Sequence, residues 1–181
     1  MIIILGASGL IGNFLFHSFQ KEGYNVIGTY SKNKMPGLIH FDLEGDNFHN
    51  FEFKECQNYM IISATAYSRP PDATKLHWDE AYKVNVIQIK KLLDYCFEKG
   101  TIPIYLSTDF VFDGVKGDYN EEDVTNPLND YGRIKCLIED YLFHSNKPYV
   151  ILRMGKVFGV DVNDGTFFTV MLREMKEKGI V

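Results

Sequence analysis

A tyrosine and a lysine stand one helical turn apart in "YGRIK", as Tyr131 and Lys135, downstream of a Ser-Thr-Asp run at 107–109. These residue types can move a proton. An unperturbed phenol has a pKa of roughly 10. A lysine at i+4 lies on the same helix face and would lower that value by its charge. A phenol tuned in this way can hand a proton to the alkoxide left when hydride adds to a ketone. The same spacing is common on ordinary surface helices, so the elements around it must decide.

The front of the chain carries the second pattern. "GASGLIG" places Gly6, Gly9 and Gly12 in a GxxGxxG spacing directly after the apolar run Ile2 to Leu5. Glycine lets the backbone turn sharply and approach a pyrophosphate, and the helix that follows offers free N–H groups at its start. Gly6, Ser8, Gly9, Leu10, Ile11 and Gly12 are therefore the expected dinucleotide cradle. The alternative is a tight turn with no ligand.

The end of the second predicted strand selects the dinucleotide. An acid there would hold a ribose 2′-hydroxyl. The chain instead has Tyr30, Ser31 and Lys32. A hydroxyl and an ammonium suit a 2′-phosphate, which favours NADP(H) and leaves NAD(H) open. Ser31 and Lys32 could equally be solvated loop residues. Asp42 and Leu43, closing the third predicted strand, could flank the adenine, or Asp42 could cap a turn.

The elements that would position these residues follow from hydrophobic periodicity. Strands are predicted at 2–5, 25–30, 37–43, 59–65, 102–107 and 149–154. Helices are predicted at about 10–19, 78–99, 131–144 and 166–178. The strands are apolar throughout and alternate with helices. That pattern predicts a parallel sheet with helices on both faces, a doubly wound α/β domain. The longest stretch without a predicted element runs from Phe110 to about Asn129, and a loop of that length is usually functional or disordered.

The 181 residues, 45% hydrophobic and with net charge -5, suit one domain over 1–181 and argue against a nucleic-acid surface. Cys56, Cys96 and Cys136 are odd in number and lack metal-like spacing. Neither a disulfide framework nor a metal site is expected, and reduced thiols fit the cytoplasm. The opening "MIIIL" is too short for a signal or membrane segment.

Taken together, these motifs resemble the extended short-chain dehydrogenase/reductase superfamily, and within it the dTDP-4-dehydrorhamnose reductases and their relatives. The resemblance rests on "GASGLIG", Asp42-Leu43, Ala64 to Ala66, Asn85, "STDFVFDG" at 107–114, "YNEEDVTNPLNDYGRIK" at 119–135 and "LRMGKVFG" at 152–159. It implies a Rossmann-type fold and reduction of a nucleotide-linked 4-keto sugar, with Tyr131 as general acid, Lys135 also holding the nicotinamide ribose, and Thr108 bonding the substrate carbonyl. Ala64, Thr65, Ala66 and Asn85 would join the cofactor contacts, and a homodimer is allowed. Related dehydratases carry an Asp-Glu pair where this chain has Asp109 and Phe110, which argues against dehydration and leaves Asp109 to brace the loop. Arg69 could meet a substrate phosphate or lie in a plain surface loop. Reductases of the family usually show Arg-Thr-Ser-Trp after the sixth strand, whereas here Arg153 is followed by Met154, Gly155 and Lys156. The family normally continues well beyond the equivalent of Val181, so the resemblance implies that most of the substrate half is absent. Two similar classes stay open: the regulatory subunit of methionine adenosyltransferase, which keeps the Tyr and Lys, and sugar-nucleotide epimerases.

Overall fold

Ile3, Ile4 and Leu5 are all buried, so the first strand has no solvent-facing side beyond its first residue. A strand of this kind needs cover on both faces, and the rest of the chain supplies it. The computed structural model describes residues 1–45, 58–63, 77–159 and 167–179. Six strands form one sheet: β1 (Ile2–Leu5), β2 (Val26–Tyr30), β3 (Ile39–His40), β4 (Tyr59–Ile62), β5 (Ile102–Thr108) and β6 (Val150–Met154). All five pairings are parallel and the order is β3-β2-β1-β4-β5-β6. This is the doubly wound Rossmann arrangement expected from the sequence. Its strand order reverses between β1 and β4, and ligands of such sheets bind at the carboxyl ends of the strands beside that point.

The helices are α1 (Leu10–Lys21), α2 (Trp78–Tyr82), α3 (Ile89–Glu98), α4 (Asp130–Phe143) and α5 (Phe167–Glu177). Alternate strand residues feed two cores. Ile3, Leu5, Met60, Ile62 and Tyr105 pack with Ala81, Leu92, Leu93, Ile134 and Ile138 on one side. Ile4, Ile61 and Leu106 pack with Ala7 and with Phe16 of α1 on the other. Gly28 is required for the second layer. A Cβ there would lie 2.8 Å from both the Ala7 Cβ and a Phe16 ring carbon, so its absence lets α1 settle onto β2.

Three expectations change. The third strand, predicted over 37–43, is only Ile39–His40. It lies at the sheet edge, and Phe41 N–H still bonds Tyr30 O at 2.8 Å before Asp42 turns the chain. The helix predicted over 78–99 contains a π turn, Lys83–Gln88, between α2 and α3. Hydrophobic spacing does not reveal such a turn, and here it leaves three consecutive residues, Val84, Asn85 and Val86, all buried. Finally, β6 is not buried on both faces. Val150 and Leu152, alternate residues that share one face of this edge strand, are 39% and 46% exposed. Among the described residues, no helix is long and apolar enough to cross a membrane.

Candidate active site

The loop after β1 is built by its glycines. Gly6 adopts φ +84°, a conformation that L side chains rarely take. Gly9 N–H then closes a turn onto Gly6 O at 3.1 Å. A Cβ on Gly12 would come within 2.3 Å of Gly6 O and 2.8 Å of Ala7 Cα. Gly12 thus lets α1 lie directly against the loop, with its N-terminus at the strand's carboxyl end. No side chain caps that helix N-terminus, so its N–H groups can serve a ligand anion. Buried Thr29, which sequence reasoning passed over, braces the loop by accepting a hydrogen bond from Gly6 N–H at 3.2 Å.

A cavity of about 610 Å³ opens on this loop. Gly6, Ser8, Gly9, Leu10 and Ile11 form one wall, and Ser31, Lys32, Asp42 and Leu43 form another. The predicted cradle and the predicted selector residues therefore face one space. Tyr30 does not line it, because its ring packs edge-on against His40 at 5.4 Å. Gly12 and Asn85 do not line it either; Val84 of the π turn does. Asp42 lines the cavity and also accepts Glu44 N–H at 3.1 Å, the turn-capping contact. Ala64, Thr65, Ala66 and Arg69 lie outside the described residues.

The proton-moving residues assemble at the end of β5. Asn129 caps α4 by accepting Gly132 N–H at 2.8 Å. A Cβ on Gly132 would come within 2.2 Å of Phe110 O. This glycine, which sequence reasoning missed, lets the first turn of α4 press onto the loop. Tyr131 consequently meets the Phe110 ring edge-on, with centroids 6.2 Å apart. Thr108 donates to Asp109 Oδ1 at 3.0 Å and accepts Phe110 N–H at 3.3 Å. Asp109 thus braces the loop, as expected, and the Thr108 hydroxyl turns toward it.

Lys135 is only 2% exposed. Its ammonium donates to Leu106 O at 2.8 Å and sits over the Tyr105 ring, 4.6 Å from the centroid. It lies 5.8 Å from the Tyr131 ring centroid. Burial pulls its pKa down to about 7, against an upward pull from Glu139. The electrostatics at Tyr131 correct the sequence-based expectation. Its pKa is raised, first by burial and then by the Asp109 charge, with a polar contact to Thr108 opposing. Lys135, 5.8 Å from the ring centroid, is not among the groups that shift it.

Deeper still, Glu139 is buried and accepts from two residues. Ser107 Oγ donates to Oε1 in a short hydrogen bond. Arg153 of β6 clamps it with Nη2 at 2.7 Å and Nε at 3.1–3.2 Å. Glu139 had a sequence signal, since it stands at i+4 from Lys135 and i+8 from Tyr131.

A family model described as the RmlD substrate-binding domain matches residues 1–181. The chain belongs to that family. Among its relatives, the dTDP-4-dehydrorhamnose reductase of Aggregatibacter actinomycetemcomitans is 36% identical over 182 residues, covering 99% of this chain and 58% of the relative. Methionine adenosyltransferase 2 subunit beta of Bos taurus is 31% identical over 158 residues, covering 87% of this chain and 47% of the relative. The dTDP-4-dehydrorhamnose reductase of Bacillus anthracis, solved in complex with NADP, superposes with a TM-score of 0.79 at 25% identity, over 97% of this chain and 59% of that one. The chain thus spans about half the length of the curated relatives it matches.

In this RmlD-family chain the 110–129 loop is cross-linked internally. Asp113 accepts from the Tyr119 hydroxyl, from Val115 N–H at 2.9 Å and from Asn126 Nδ2 at 2.9 Å, which holds its pKa down to about 2. Lys116 pairs with Asp123, and Phe112 stacks on Tyr119 at 4.3 Å. The Arg153 guanidinium lies 5.0 Å from the Phe112 ring centroid and reaches Glu121 O at 3.2 Å. A second cavity of about 680 Å³ lies between this loop, Asp109, Phe110 and Arg153. Cys96 and Cys136 are free thiols, and the described residues hold no group of His, Cys, Asp and Glu that could bind a metal ion.

Proposed function

We propose that the protein is an NADP(H)-dependent reductase of a nucleotide-linked 4-keto-6-deoxysugar, with residues 1–181 as its dinucleotide-binding domain. One observation carries this reading. The glycine-lined cavity lies at the carboxyl edge of one parallel sheet, and the Thr108, Tyr131 and Lys135 group is packed about the end of β5 in that same sheet, although none of the three lines the cavity. The cavity residues fit a dinucleotide. The close approach of Gly6, Gly9 and Gly12 leaves the α1 N-terminus open for a pyrophosphate. Ser31 and Lys32 lie on the wall where a 2′-phosphate would come, and neither is acidic, so NADP(H) is preferred over NAD(H).

When bound, the dinucleotide supplies the hydride. This chain's own residues then manage the proton. The Tyr131 phenol gives its proton to the developing alkoxide oxygen of the sugar. A phenol with a raised pKa holds that proton at neutral pH and needs a neighbouring positive charge as it leaves. Lys135, held against Leu106 O, stands one turn away to provide it. Thr108 would exchange its Asp109 contact for the substrate carbonyl, and Phe110 keeps water from one side of the phenol. The Bacillus anthracis reductase, solved with NADP, supports the cofactor assignment. A nucleotide-sugar partner, a homodimer and a cytoplasmic location belong to the same proposal.

The matches to methionine adenosyltransferase 2 subunit beta favour a second reading, a regulatory protein that binds the dinucleotide without turning it over. The departure at Met154, Gly155 and Lys156 agrees with it. Steady-state NADPH oxidation with a dTDP-4-keto-6-deoxysugar separates the two. Turnover that falls in Tyr131→Phe supports the reductase. Tight NADPH binding with no oxidation of any keto sugar supports the regulatory reading.

A further inference from the structure

The carboxylate of Glu139 lies below the candidate acid and touches no part of either cavity. It is 5% exposed. A charge placed so deep is costly unless it is paired and hydrogen-bonded. Here it is both, through Ser107 of β5 and Arg153 of β6. The neighbours of those two residues explain the placement. Ser107 immediately precedes Thr108, and Leu106, whose carbonyl holds Lys135, immediately precedes Ser107. Ser107 and Arg153 are register partners across the sheet. Glu139, one helical turn below Lys135, therefore joins α4 to β5, which carries Thr108 and holds Lys135, and to its neighbour β6.

We propose that Glu139 is a positioning residue for the proton-transfer group: clamped between Ser107 and Arg153 one helical turn from Lys135, its buried carboxylate ties α4 to β5 beside the Leu106 carbonyl that holds the Lys135 ammonium, and so fixes the β5 exit that carries Thr108. This rests on the reductase reading for its purpose, but the arrangement is a property of the chain without cofactor. The groups around Lys135 are few. Tyr131 and Glu139 come from α4, and Tyr105 comes from β5. Arg153 of β6 acts through Glu139, and Asp109 acts on Tyr131. The π turn, which packs against α4, buries only the uncharged Val84, Asn85 and Val86. Glu139 is thus the anionic group whose pull on Lys135 opposes its burial.

The test is an NMR titration of the Lys135 side chain, with ¹³Cε-labelled lysine, in the cofactor-free 181-residue protein. In wild type the midpoint is expected at about 7. In Glu139→Gln, which keeps the shape but loses the charge and turns one acceptor into a donor, it should fall by about one pH unit, the lower end of what a neighbouring opposite charge supplies. In Arg153→Gln it should rise, because Glu139 loses the cation that balances it. A merely structural tie would move both midpoints in the same direction. An unmoved midpoint in Glu139→Gln, or displacement of both variants in one direction, overturns the proposal. Should Glu139→Gln not fold, a midpoint in Arg153→Gln at or below the wild-type value does the same. A wild-type Lys135 that titrates like an exposed lysine overturns it with no variant at all. NADPH binding, followed separately by nucleotide fluorescence, reports on the reductase reading, so the two failures are distinguishable.

Discussion

Replacing Lys135 by methionine should make the protein more stable at neutral pH. The side chain is 2% exposed, and burial brings its pKa from 10.5 to about 7. Between those values the unfolded chain holds the proton more tightly than the folded one. Stability therefore falls as pH falls from about 10.5 to about 7 and is flat below. At about 1.4 kcal/mol per pH unit, the half-charged state at pH 7 costs the fold about 4 kcal/mol. Methionine removes that cost but leaves Leu106 O without its 2.8 Å partner, a loss of about 2 kcal/mol. The net expectation is a gain of about 2 kcal/mol for Lys135→Met at about pH 7. At about pH 9.5 the wild-type cost shrinks to about 1.5 kcal/mol, so the advantage should vanish or reverse. Urea unfolding followed by circular dichroism, on both proteins at both pH values, measures the difference. A Lys135→Met protein that is less stable at neutral pH, with a deficit that does not change with pH, refutes the reasoning. A lysine kept at such expense is understood most simply as serving the chemistry proposed for it.

Three further outcomes follow from the site. Gly9 has φ -84° and ψ 167°, which valine adopts readily, so Gly9→Val should fold but fill the cradle; a loss of NADPH affinity of tenfold or more, about 1.4 kcal/mol, is expected by fluorescence titration. Gly132→Ala would place a Cβ 2.2 Å from Phe110 O, and the forced shift should destabilise by about 1–3 kcal/mol, a drop in Tm of several degrees in a thermal scan. Tyr131→Phe removes one hydroxyl from a half-buried ring, so NADPH binding should persist while any keto-sugar reduction falls by about a hundredfold or more.

The fold was legible wherever burial produced an uninterrupted apolar run. Ile2–Leu5, Tyr59–Ile62 and Ile102–Thr108 are central strands covered on both faces, and their composition says so. The edges were less legible. The stretch 37–43 looks like a strand by composition, but at the rim of the sheet only Ile39–His40 pairs. The π turn left no trace because hydrophobic spacing reports a face of a helix and not its pitch. At the site, residue types were readable and orientations were not. Tyr30 was grouped with Ser31 and Lys32, yet the alternation of side chains along β2 sends its ring to His40. The Tyr131–Lys135 spacing fixed a shared face, but the balance between charge and desolvation depends on depth, which only packing against Tyr105 and Phe110 sets. Gly132 and Glu139 were in plain view at i+1 and i+8 from Tyr131. Their roles come from contacts with Phe110, Ser107 and Arg153, which are brought close by the fold alone.

The measurement that bears most directly on the central claim is a parallel titration of the 181-residue protein with NADPH and NADH, read by nucleotide fluorescence. Saturable binding of both, with NADPH the tighter and its advantage lost in Lys32→Ala, is the result expected from the cavity between the glycine loop and the Ser31–Lys32 wall. Absence of binding by either nucleotide, or NADH binding as tightly as NADPH, would contradict the account.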